Sequence, residues 1–152
     1  MAVDRARALA LDFPPLTVTA ERGRLVFFAR ATGQTDPVYT DVSAARAAGH
    51  PDLPVPPTFL FGLEMERPEP FGWLAGLGVD LRHVLHGEQA FTYHALAYAG
   101  DELTLTTRIT DVAVKKGGAL ELLTKETTVT RDGEPVAESV GVLVVRRPEA
   151  AR

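Results

Sequence analysis

From His86 to Arg146 the sequence alternates with a period of two, and this stretch constrains the fold more than any other feature. The alternation divides into four Thr- and Val-rich runs, residues 87–95, 102–114, 119–131 and 135–146, each reading as a β-strand. Gly100-Asp101, Lys116-Gly117-Gly118 and Asp132-Gly133 leave only a few residues between successive runs, the spacing of antiparallel hairpins. The expectation is a long antiparallel meander. Its alternation is imperfect, so one face packs on apolar material and the other is partly wet. The large apolar element available is Val55-Pro56-Pro57-Thr58-Phe59-Leu60-Phe61-Gly62-Leu63-Glu64-Met65. Its prolines suit the first turn of a helix, and the near absence of polar residues after them marks a buried one.

Upstream, residues 16–20 alternate Leu/Thr/Val/Thr and predict a short strand. A helical pattern then starts at Thr19 or Ala20, carries Leu25, Phe28 and Ala29 on one face, and ends at Gly33. Residues 34–41 form a loop fixed by Asp36-Pro37, and 42–48 a short Ala-rich helix with Ser43 near its start and Gly49 as its stop. An antiparallel sheet wrapped around one central helix is an α+β architecture, the hot-dog arrangement. With 152 residues, 45% of them hydrophobic, the chain has the length of one domain spanning 1–152, with a core at about 16–146 and flexible ends.

Several function classes are disfavoured. The 16 Lys and Arg against 20 Asp and Glu leave a net charge of −4, and the basic residues are scattered, which gives no footprint for nucleic acid. The absence of cysteine removes disulfides, a thiolate nucleophile and Cys-ligated metal. His83 and His86 stand three apart without further ligands, so no metal is expected, and Gly76-Leu77-Gly78 lacks the third glycine of a dinucleotide loop. The first sixteen residues interleave charges with alanines and resemble neither a signal peptide nor a membrane span; a soluble cytoplasmic protein is the expectation.

Two blocks carry a family resemblance. Phe28-Ala29-Arg30-Ala31-Thr32-Gly33-Gln34-Thr35-Asp36-Pro37-Val38-Tyr39-Thr40-Asp41, followed by Ala44 to Gly49 and Pro56-Pro57-Thr58-Phe59, resembles the signature of the MaoC-like dehydratases. Leu85-His86-Gly87-Glu88-Gln89-Ala90-Phe91-Thr92-Tyr93-His94, leading to Ala99-Gly100-Asp101, resembles a second block of the same group. The likeness is to the N-terminal-type domains of (R)-specific enoyl-thioester hydratases and to the substrate-binding subunits of heterodimeric (3R)-hydroxyacyl-thioester dehydratases. It implies a hot-dog dimer, a groove for an acyl chain carried on coenzyme A or acyl carrier protein, and no cofactor beyond that carrier. Substrate contacts are expected from Gln34, Asp36, Tyr39, Pro57, Thr58 and Phe59.

In active members of that family an Asp and a His handle the water added across, or expelled from, the C2–C3 bond. Those places are Gln34 and Tyr39 here. Gln34 does not titrate, and an ordinary tyrosine, with a pKa of about 10, is a poor base at neutral pH. Asp36, two residues along, is either a displaced base or a turn former before Pro37. His94 is either a substitute catalytic group or a strand histidine, and Tyr39 either contacts substrate or packs its ring. Pro57-Thr58 replaces the family's His-Gly at the start of the central helix, where free amides suit a thioester carbonyl. Glu64, the first carboxylate on that helix, is either a thioesterase group or a helix-end surface residue, and Trp73 caps a channel or covers the core. The expected function is that of an accessory substrate-binding subunit whose partner supplies the dyad; the alternatives are a self-sufficient homodimeric hydratase and a non-catalytic acyl-thioester module.

Overall fold

The computed structural model describes residues 2–147. Five strands, β1 (Leu16–Thr19), β2 (Val84–Tyr93), β3 (Glu102–Lys115), β4 (Leu120–Arg131) and β5 (Glu134–Arg146), form one antiparallel sheet in the order β1-β3-β4-β5-β2. The helices are α1 (Arg5–Leu9), α2 (Arg22–Ala31), α3 (Val42–Ala47), α4 (Phe59–Leu63) and α5 (Gly72–Gly76). The expected strands are all present, with ends displaced by a few residues.

The meander holds only in its second half. Asp132-Gly133 turns β4 into β5 with φ of 53° and 84°, the left-handed pair of a tight hairpin, and residues 116–119 turn β3 into β4. Gly100-Asp101 is not a hairpin turn, because β2 pairs with β5 and β3 pairs with β1. The chain after β2 instead crosses the end of the sheet over three strand spacings, about 14 Å. On the way it pairs with the segment before the central helix, through Val55 N–H to Ala97 O at 2.8 Å and Ala99 N–H to Leu53 O at 2.8 Å.

The central helix is shorter than its apolar run predicts. Phe59–Leu63 is α-helical, and Glu64–Glu66 tightens into a 3₁₀ turn. Phe59, Leu60 and Leu63 pack with Leu103, Leu105, Val129 and Ala137 on the inner face of the sheet. A second apolar cluster joins Leu74, Leu77 and Val79 to Ile109, Val112, Leu123, Leu143 and Val145.

Val3 and Ala8 belong to that second cluster, so the N-terminal stretch expected to be flexible is anchored in the core at these two residues, with Asp4 to Arg7 exposed between them. It is tied down by Glu121, which is 1% exposed and accepts from the Val3 amide at 2.7 Å and from Arg147 Nε at 2.6 Å. Met1 and residues 148–152, read as the chain's flexible ends, lie outside the described residues. No helix among the described residues is long and apolar enough to cross a membrane.

A 3₁₀ turn, Leu81–His83, feeds the chain into β2, and Asp80 caps it by accepting from the Arg82 amide at 2.9 Å. The Arg82 guanidinium, bonded to the same carboxylate, holds Asp80 down to about 2. A carboxylate depressed by folding stabilises above its unfolded value of about 4 and loses that contribution as the pH falls through its folded value. Asp80→Asn is therefore expected to unfold at lower urea than the parent at neutral pH, with the two curves merging as the pH approaches 2. A difference independent of pH would remove this assignment.

Candidate functional site

A cleft of about 400 Å³ opens between the start of α4 and the end of the edge strand β2, lined by Val55, Pro57, Leu60, Tyr93, His94 and Val136, among others. The pairing of residues 53–55 with 97–99 brings Pro57 to this cleft. Opposite it, the amides of His94 and Ala95 both reach Val136 O, at 2.8 and 3.1 Å, which turns the chain sharply off β2 and sets His94 on the rim. His94 Nε2 lies 3.7 Å from Glu138 Oε1. Burial pushes the Tyr93 phenol up from its ordinary value, so at neutral pH it presents a hydroxyl.

The start of α4 is plain. Phe59 N–H bonds to Pro56 O at 2.9 Å, no side chain caps the helix, and Pro57 and Thr58 are exposed. Phe59 itself is core: its ring meets Phe28 edge-to-face at 5.4 Å and carries the Arg24 guanidinium above it.

Gln34, Asp36 and Tyr39 sit on a different element. Gln34 Oε1 accepts from the Asp36 amide and Asp36 Oδ1 from the Val38 amide, both at 3.0 Å, so the two side chains build a 3₁₀ turn over Pro37–Tyr39. That turn packs against α2 and α3, and none of its residues lines the cleft. The structure thus brings Pro57 and His94 together and keeps the three loop residues apart from them. Trp73 also lines no part of the cleft. It donates Nε1 to Pro70 O at 3.1 Å and meets Phe13 edge-to-face, covering the second apolar cluster.

A second pocket shares no lining residue with the cleft. It has a volume of about 130 Å³ and lies, partly open, between Phe61, Met65 and Phe71 on one side and His86, Gln89, Lys125 and Gly141 on the sheet. Lys125 bonds to Glu64, which is 6% exposed; Glu64 is no surface residue, and its carboxylate is already engaged. A β-bulge at Gly87 shapes the strand side, since a Cβ there would stand 2.7 Å from Val144 Cγ2. The extra residue makes His86 and Gln89, three apart, face the same side of the sheet. His86 stacks on Phe61 and its Nε2 donates to Gln89 Oε1 at 3.2 Å, while Gln89 Nε2 donates to Ser139 Oγ at 2.9 Å. Gln89 and His86 lay within the second sequence block; the pairing of Glu64 with Lys125, 61 residues apart, left no local signal.

Residues 8–139 match the family model described as the FAS1-like dehydratase domain region. The chain belongs to this family. Curated relatives cover most of its length: a UPF0336 protein of Clavibacter michiganensis is 43% identical over 123 residues, 81% of this chain and 82% of the relative. A UPF0336 protein of Streptomyces coelicolor is 37% identical over an alignment of 154 positions, 99% of this chain and 100% of the relative. Among solved structures, a chain of the (3R)-hydroxyacyl-ACP dehydratase complex HadBC from Mycobacterium tuberculosis superposes with a TM-score of 0.74 at 25% identity, covering 88% of this chain and 92% of that one. The ChsH1-ChsH2 complex of the same organism gives 0.76 at 24%, covering 94% and 89%. The (R)-hydratase of A. caviae involved in PHA biosynthesis gives 0.60 at 17%, covering 94% and 95%, a likeness of fold. The hot-dog fold and the MaoC-like dehydratase relationship expected from the two sequence blocks are those of this family member.

Proposed function

We propose that this chain binds an acyl thioester and is the accessory, substrate-binding subunit of a (3R)-3-hydroxyacyl-CoA or acyl-carrier-protein dehydratase whose dyad comes from a partner. The observation that carries this reading is the combination of an open apolar cleft at the start of α4 with Gln34 and Tyr39 where a dyad would stand. Binding needs the apolar walls and a donor such as the Tyr93 hydroxyl; proton transfer needs a group titrating near the working pH, and Gln34 has none. The outer edge of β2, ten residues long, has no partner strand among the described residues, and an edge of that length is a template for a second sheet. Two of the structural neighbours, HadBC and ChsH1-ChsH2, are complexes, in keeping with a hot-dog partner docked along that edge.

The test is hydration of a short trans-2-enoyl-CoA, followed by loss of the enoyl absorbance, by the protein alone and mixed with a dyad-bearing hot-dog protein. Turnover is expected in the mixture and to fall at least about 10²-fold without the partner, the contribution of positioned acid–base groups. A second reading has one observation in its favour: His94 stands on the rim of the cleft beside Glu138. Turnover by the protein alone, lost in His94→Ala, would replace the accessory-subunit reading with a self-sufficient hydratase. Ligand binding without turnover under every pairing would make it a non-catalytic module.

A further inference from the structure

Phe27 is 75% exposed, more than any other large apolar side chain among the described residues. It stands on α2, with Gly23 four residues before it and Arg30 three after, so the three form one stripe on the helix surface. The stripe borders a groove of about 380 Å³ between α2 and α4, walled by Phe27, Phe28, Phe59 and Arg24. Gly23 and Gly62 complete the lining, and a Cβ at either would have no atom within 4 Å, so the groove lies open where side chains would have filled it. Aromatic rings and arginines around an open groove are the composition of a docking surface.

The charge of this face points to the chemistry of what docks. The chain has a net charge of −4, yet α2 holds three arginines and no carboxylate. Arg22 is paired with Asp52 and Arg24 with Glu66, and Glu21 stands before the first turn; Arg30, exposed, meets no carboxylate among the described residues. Each guanidinium has five donors, so the paired ones keep some to spare. An acidic surface complements such a face.

Its position suits delivery to the cleft. α2 follows β1, the edge of the sheet opposite β2, so a partner docked along β2 leaves it uncovered. Phe59 lines the groove and Pro57 the cleft, two residues apart and so within about 7 Å along the backbone. Asp52, held by Arg22, stands three residues before Val55 of the cleft wall. A pantetheine arm crosses a gap of that size, and a protein carrying the arm needs a seat outside the cleft.

We propose that the α2 face formed by Phe27, Arg30 and Arg24 docks an acidic acyl carrier protein, which delivers its thioester to the cleft beside Pro57. The inference rests on the acyl-thioester reading above and adds the delivering partner to it. The test measures by calorimetry how the full chain binds one enoyl group presented on coenzyme A and on the acyl carrier protein of the same organism. Phe27→Ala and Arg30→Glu are each expected to weaken the carrier-protein thioester about tenfold or more and to leave the coenzyme A thioester unchanged. Arg108→Glu, the same change of charge at an exposed position on the sheet, is expected to leave both unchanged. Equal losses for both thioesters, no loss in either α2 variant, or a parent that binds the coenzyme A thioester and not the carrier-protein one overturns this inference and leaves thioester binding standing. A change in the sedimentation of the protein alone on Phe27→Ala assigns the face to a second copy and overturns it likewise. Failure of both thioesters to bind overturns the functional reading and this inference with it.

Discussion

Lys125→Met is expected to lower the stability of the protein by about 3–5 kcal/mol, because it strands the Glu64 carboxylate in the core without its cation. Against a total of about 5–15 kcal/mol for a domain, this is a large fraction, and the melting temperature should fall on the order of 10 °C. Lys125 is only 15% exposed and Glu64 6%, so solvent screens the pair weakly. The same argument predicts recovery. Glu64→Leu added to Lys125→Met removes the orphaned charge, and replacing a whole buried pair with apolar groups is often neutral or stabilising. A double-mutant cycle from urea unfolding measures the coupling. Full stability of the single variant would show that the pair is solvated in solution.

Glu121→Ala is expected to cost about 3 kcal/mol or more by a different route. Its carboxylate accepts from the Val3 amide and from Arg147 Nε, and Arg147 Nη2 is buried with no partner among the described residues. Removing the acceptor leaves a guanidinium and a backbone amide unsatisfied together. The loss should be local as well as global. Among the described residues, the N-terminal stretch then keeps the exposed Arg5–Asp111 ion pair and the burial of Val3 and Ala8, and a surface pair contributes at most about 1 kcal/mol. Amide exchange of residues 3–10 should accelerate beyond that of β4 and β5. Uniform acceleration would mean that the N-terminal stretch opens only with the whole sheet, and that Glu121 is not its separate fastening.

The candidate site was legible in part, and the split follows how local each signal is. Pro57 and His94 lay in two sequence blocks, and the structure brings both to the cleft. Gln34, Asp36 and Tyr39 lay in the same first block, yet the side chains of Gln34 and Asp36 bond to amides two residues along and hold the loop apart. Asp before Pro announces that turn, whereas the side of the molecule on which the turn ends depends on how α2 and α3 pack. Glu64 ends an apolar run, where a carboxylate usually marks emergence into solvent; it is buried because Lys125 reaches it from the sheet.

Local pattern along the chain was enough for the strands β2 to β5, the β3–β4 and β4–β5 hairpins, the apolar helix and the family resemblance. Period-two alternation, turn residues and apolar runs are properties of neighbours along the chain, and their energetics are decided within a few residues. Long-range packing set the rest: β2 leaves β3 to pair with β5, Glu121 fastens Val3 and Arg147, and Lys125, Gly141 and Gln89 share one row across the sheet. Those contacts join residues far apart in the chain. Register selects them, and register is set by bulges and by which face is buried, quantities that exist only once the sheet has closed over its core.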